Sequence, residues 1–171
     1  SIRYTTRAMS SITDAELSGS ITLPGSSLKQ GENLLAVEVH QYSTNDRDLA
    51  FGISLSATVE SSPDGVILNE LMAANRGSVP HAGTNPDWIE LYNTDSKPAE
   101  LFGLMWEAGL AKFTYRRLSF IAPGGYAVLN ADERPGVRHL DFRLPAAGGT
   151  LLLRDSNGAE LDDFSYRTQQ D

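Results

Sequence analysis

The segment Val66–Asn93, VILNELMAANRGSVPHAGTNPDWIELYN, constrains the chain most. Two apolar runs with period-two alternation flank a loop dense in Gly, Pro and Asn. Successive side chains of a strand point to opposite faces. Ile67, Asn69 and Leu71 are therefore expected on one face of the first strand, with Ile67 and Leu71 turned inward. Ile89 and Leu91 form the inward face of the second strand. Trp88, Glu90 and Tyr92 then point the other way. A sheet with one apolar face has to bury it against a second layer.

The remaining sequence continues the pattern. Residues 1–33 are weakly patterned, with Ile21-Thr22-Leu23 a short strand candidate. Leu34–Gln41 and Leu49–Val59 both alternate, and the polar turn Ser43–Asp46 between them predicts a pair. Glu60–Gly65, ESSPDG, reads as a linker. Beyond it, Leu101 and Leu104 are apolar around Gly103. Lys112–Tyr115, Leu118–Ile121 and Tyr126–Asn130 are short strand candidates. Pro123-Gly124-Gly125 predicts a hairpin turn, since Pro presets φ and Gly accepts φ > 0. Thr150–Arg154 and Glu160–Tyr166 flank Asn157-Gly158, which predicts a type I′ hairpin. No amphipathic helix or fixed repeat is present. The expected class is all-β, with a partial β-sandwich over 1–59, a linker over 60–65, a sandwich domain over 66–167 and a tail over 168–171.

Composition removes several functions. The net charge is -8, and there is no cysteine, so disulfides, thiolate metal sites and cysteine nucleophiles are excluded. Residues 1–59 carry four basic and six acidic side chains, net -2; residues 60–171 carry ten and sixteen, net -6. Neither part is basic, so no nucleic-acid partner is expected. No apolar run is long enough for a membrane-spanning helix, so no membrane insertion is expected. The opening SIRYTTRAMSS has no apolar signal-peptide core. It begins on Ser1, which points to a piece of a longer protein.

Four stretches, in order, carry a family resemblance: VILNELMAAN, NPDWIELYN, IAPGGYAVL and FRLPAAGGTLLLRDSNGAELDDFSY. Together they resemble the lamin tail domain across residues 66–167. The resemblance implies an immunoglobulin-like β-sandwich that binds or scaffolds without catalysis. In bacteria it implies a module of secreted or cell-surface proteins, and in animal cells lamin tails are associated with chromatin. One departure concerns the Leu-x-Gly-Trp turn of the family, where this chain has Leu104 in place of Trp and lacks the short acidic loop; Trp106 is expected to fill that space. LKQGENLLAVEVHQ and DLAFGISL resemble the closing strands of a galactose-binding-like jelly roll.

The candidate chemistry is sparse. Glu70 and Glu90 on adjacent strands could face each other and offer carboxylates to calcium, or to a metal-dependent enzyme. Calcium takes six to eight oxygens, however, and the loop between the strands carries no acidic side chain from Asn75 to Asn85. The simpler expectation is that they bond loop amides or an Arg. Trp88 and Tyr92 flank Glu90 and could stack on a sugar ring or anchor a protein; a second core face is the ordinary alternative for Trp. His40, His81 and His139 are far apart in sequence, without metal-ligand spacing, and are expected to be surface or hydrogen-bonded residues. Arg116-Arg117 with Lys112 reads as a solvated strand edge. No G-x-S-x-G and no phosphate loop occurs. The expected function is a non-catalytic structural or interaction module without a cofactor. Its partners would be other domains of the parent protein or another protein. A carbohydrate-binding module using Trp88 and Tyr92 is the runner-up, and Trp88, Glu90, Tyr92 and Glu70 are the candidate surface.

Overall fold

The computed structural model describes residues 3–14, 16–31, 33–45, 49–58 and 63–169. The chain divides into two compact units, residues 1–56 and 57–171.

The first unit carries no paired strand among its described residues, contrary to the alternation of 34–41 and 49–59. A 3-10 turn spans Gly25–Ser27. Asn33 staples the preceding bend: its Oδ1 accepts the Lys29 N–H at 2.9 Å and its amide donates to the Lys29 carbonyl at 2.7 Å. Leu35, Val37 and Val39 remain 49%, 48% and 43% exposed. Alternation supplies an apolar stripe, but a strand also needs a hydrogen-bonded neighbour and a layer to bury the stripe. Glu32, Asp46–Asp48 and Val59–Ser62, which touch the expected turn, second strand and linker, lie outside the described residues.

Among its described residues the second unit holds ten strands: β1 (Val66–Met72), β2 (Asp87–Asn93), β3 (Ala99–Glu100), β4 (Met105–Ala108), β5 (Ala111–Thr114), β6 (Phe120–Ile121), β7 (Tyr126–Ala131), β8 (His139–Leu140), β9 (Gly148–Arg154) and β10 (Glu160–Arg167). One sheet runs β1-β2-β7-β8 and the other β10-β9-β4-β5, with β3-β6 a small third pair. All pairings are antiparallel except β7-β8. One core lies between the sheets: Ile89, Leu91 and Leu129 come from the first, Trp106, Leu151 and Leu153 from the second. Each such side chain contributes about 1.5–3 kcal/mol on burial. Trp106, Phe113, Tyr115 and Phe142 extend it as a ring cluster with centroids 5.9–6.1 Å apart. Leu104 and Trp106 are both buried in this core.

Three local expectations are corrected. The inward residues of β1 are Val66, Leu68 and Leu71, with Ile67 half-buried on the opposite face. The register shifts between Leu68 and Glu70, so Asn69 is an extra residue that reverses the phase of the strand. The Ala122–Gly125 turn forms, with Gly124 at φ 60 and the Gly125 N–H donating to the Ala122 carbonyl at 2.9 Å. It joins no hairpin: β6 pairs with β3 and β7 with β2, so the turn carries the chain from one sheet to another. β9 and β10 do form a hairpin, but only Gly158 in its turn has positive φ. The turn is instead organised by Asp155, whose Oδ1 accepts the N–H groups of Asn157 at 2.9 Å and Ala159 at 2.7 Å.

The exposed edges β1 and β10 are tied by side chains. Asp162 Oδ2 accepts the Leu68 N–H at 2.7 Å, and Gln169 Oε1 accepts the Ala73 N–H at 2.6 Å. These bonds occupy edge donors that would otherwise be open to another strand.

Candidate functional site

The outer face of the first sheet gathers the candidate residues. Strand pairing places them in rows: Ile67, Tyr92 and Tyr126; then Glu70, Glu90 and Val128; then Met72, Trp88 and Asn130. Tyr92 and Tyr126 stack with centroids 4.5 Å apart at 24°. Tyr126 and Val128 are 52% and 42% exposed. Glu70 is directly opposite Glu90, as the strand reading expected. The bulged Asn69 donates its amide to Glu90 Oε1 at 2.8 Å. Neither carboxylate has an ion-pair partner among the described residues. Like charges directly opposite on a sheet oppose folding.

Trp88 shares the outward direction of Glu90 and Tyr92 but is only 7% exposed. An exposed Trp88 platform is therefore corrected. It lies at the end of the sheet from which the connections 73–86 and 132–138 depart, where the face is covered, whereas Tyr92 lies at the open end.

That covered end is polar and ordered. Asn75 is buried; its amide donates to the carbonyls of Val79 at 2.7 Å and Pro86 at 2.8 Å, which closes the 73–86 connection on itself. Burial raises the carboxyl pKa of Asp87 above its ordinary value, against the opposing pull of the Asn75 N–H and the Arg143 charge. Arg143 donates to Glu133 at 2.8 Å, and that bond raises its own pKa. Asp132 accepts from His139 Nδ1 at 2.8 Å, and the His139 and His81 rings lie 5.8 Å apart. The sequence reading missed this approach, because the two histidines belong to different connections and nothing in their spacing signals it. His40, in the first unit, is hydrogen-bonded to the Thr6 carbonyl and to Glu38.

On the other sheet an open groove of about 320 Å³ is bordered by Glu107, Gly148, Gly149, Thr150, Leu152 and Tyr166. Lys112 bonds Glu107 at 3.0 Å, and this bond lowers the Glu107 pKa. Lys112 is thus engaged beside Arg116 and Arg117, which are exposed. Among the described residues no group of three or more His, Cys, Asp or Glu side chains is placed to hold a metal ion. No described helix is long and apolar enough to cross a membrane.

Two mainly antiparallel sheets around one core, edges tied by side chains and an outward face of aromatics and carboxylates define an immunoglobulin-like β-sandwich module. The Lamin Tail Domain family model matches residues 59–168, and the chain belongs to that family. The family is a non-enzymatic one of structural and interaction domains. None of the curated proteins matches the chain.

Proposed function

We propose that this lamin tail domain protein is an interaction module of a larger secreted or cell-surface bacterial protein, and that it docks a cationic protein surface on the outer face of β1, β2 and β7. The carrying observation is the stacked Tyr92–Tyr126 pair beside Glu70 and Glu90, which face each other without an ion-pair partner among the described residues. A solvated sheet face is ordinarily polar. This one exposes aromatic and aliphatic side chains next to two unneutralised carboxylates. A Lys or Arg from a partner would relieve the Glu70–Glu90 repulsion and rest beside the tyrosine rings. The secreted or surface setting is supported by the resemblance of residues 66–167 to bacterial modules of that kind.

A charge-varied peptide array probed with the full chain tests this reading. Lys- and Arg-bearing peptides with aromatic or aliphatic neighbours should be retained, and Glu70→Gln, Glu90→Gln and Tyr92→Ala should each weaken retention. Binding without charge preference, or untouched by these substitutions, contradicts it. Carbohydrate binding is the second reading, now resting on Tyr126 and Tyr92 and not on Trp88. Glycan-array signal lost in Tyr126→Ala favours that alternative. Reproducible turnover by the purified chain contradicts the non-catalytic reading.

A further inference from the structure

His139 lies on β8, and Asp132 follows the end of β7, to which β8 is paired. Asp132 is 92% removed from solvent, its side chain being 8% exposed. Its Oδ1 lies 2.8 Å from His139 Nδ1. A carboxylate only accepts, so Nδ1 is the donor, and in the neutral ring Nε2 is the nitrogen that offers a lone pair. Asp132 Oδ2 is buried without a hydrogen-bond partner, with Arg134 Nε at 3.7 Å.

The His81 ring approaches from the 73–86 connection, with its centroid 5.8 Å from that of His139 and the planes at 65°. The His81 backbone is fixed by a two-way bridge: its N–H donates to the Thr84 carbonyl at 2.7 Å and its carbonyl accepts the Thr84 N–H at 2.9 Å. The Thr84 hydroxyl adds a third bond to that carbonyl at 2.9 Å. Two imidazoles on one tetrahedral ion, each with a metal–nitrogen bond of about 2.0–2.1 Å, have ring centres about 5 Å apart. The observed spacing is within a small side-chain adjustment of that value.

The geometry points to a two-imidazole site for a borderline divalent transition ion, Zn²⁺ or Cu²⁺, with His139 Nε2 and His81 as ligands and Asp132 as the positioning residue. A carboxylate behind a ligating histidine fixes its tautomer and ring orientation and raises its basicity. Neutral imidazole suits Zn²⁺ and Cu²⁺, whereas Ca²⁺ prefers a shell of oxygens. Since no third His, Cys, Asp or Glu joins the pair among the described residues, water fills the remaining positions. This site is independent of the docking face, and neither reading depends on the other.

The test is a Cu²⁺ titration of the full chain, read by calorimetry and by electron paramagnetic resonance. The expected result is one equivalent bound with the coupling pattern of two ligating imidazoles, and Ca²⁺ producing no heat. His81→Ala and His139→Ala should each abolish that pattern, while His40→Ala retains it. Asp132→Asn should weaken binding roughly 10–100-fold while the two-imidazole pattern persists. His81 makes no ring hydrogen bond among the described residues, so His81→Ala should keep the native denaturation midpoint and separate loss of metal from loss of fold. A two-imidazole pattern that persists in the His81→Ala/His139→Ala chain, or a native chain that binds no more Cu²⁺ than that variant, overturns the site. Unchanged affinity in Asp132→Asn overturns the role of Asp132.

Discussion

Asn93 offers the sharpest test of what holds the sandwich together. It is fully buried at the end of β2. Its amide donates to the Lys97 carbonyl at 2.7 Å and shares its other hydrogen between the Ile121 and Ala122 carbonyls, both at 3.2 Å. Its Oδ1 accepts the Asp95 N–H at 3.0 Å. One side chain thus pins the turn after β2 and the corner between β6 and β7. Asn93→Ala removes about three effective bonds, each worth about 1 kcal/mol, and leaves their backbone partners unsatisfied at about 1–3 kcal/mol each before relaxation. Partial relaxation brings the expected loss to about 3–5 kcal/mol. At about 4 °C per kcal/mol for a domain of this size, the melting temperature should fall by about 12–20 °C. Asn93→Asp is worse at neutral pH, because a carboxylate oxygen replaces the donor and faces three carbonyl oxygens. Protonation restores one donor, so Asn93→Asp should recover part of its loss in acid while Asn93→Ala does not. Urea denaturation followed by the fluorescence of the buried Trp88 and Trp106 reads both variants. A loss under about 1 kcal/mol, or identical acid behaviour of the two, refutes the argument.

Three further outcomes are expected. Trp88→Ala should destabilise by about 3–5 kcal/mol in urea denaturation, as a buried Trp does; a neutral substitution would contradict its burial at the covered end of the outer face. Gly148→Ala, at φ 94, would place a Cβ 2.7 Å from the Tyr166 carbonyl oxygen, a backbone clash added to about 1–2 kcal/mol of left-handed strain; a native melting temperature would contradict this. Burial raises the pKa of Asp87 in the fold, so its stabilising effect is fully present below the unfolded value of 3.8 and is lost as pH rises through the folded value. The stability of Asp87→Asn relative to the native chain should accordingly be greater at pH 7 than at pH 3, and a pH-independent difference contradicts it.

Much of the sandwich is legible in the sequence because β2, β7 and β9 place inward apolar residues at alternate positions, Ile89 and Leu91, Ala127 and Leu129, and Leu151 and Leu153. Ile89 and Leu91 are inward as expected because β2 is a regular central strand. β1 escapes the rule at Asn69: a one-residue bulge has no composition of its own and is fixed by its partner strand. Pro123-Gly124-Gly125 specifies a turn, but which strands it joins depends on neighbours distant in the chain. Asn157-Gly158 marks the hairpin correctly, while Asp155 selects a different turn geometry by capturing two N–H groups. Trp88 shows the same limit for the site: its direction is readable from parity, but its cover comes from connections that sequence spacing does not place. The approach of His81 to His139 and the buried Asn93 are likewise products of tertiary closure. In the first unit, alternation at Leu35, Val37 and Val39 predicts strands for which the described residues form no ladder, because pattern supplies a face and not a neighbour.

Glu70 and Glu90 tie stability to binding. Glu70→Gln should stabilise the chain by roughly 0.2–1 kcal/mol by removing the cross-strand repulsion, and should weaken docking at the same time; a destabilised variant would contradict the frustrated-pair reading. The most direct test of the docking face is an amide chemical-shift titration of the full chain with a Lys- and Arg-rich peptide taken from the array. The account predicts that perturbations centre on Ile67, Glu70, Glu90, Tyr92, Tyr126 and Val128. Perturbations centred on the groove at Glu107, Gly149 and Tyr166, with that outer face silent, would contradict it.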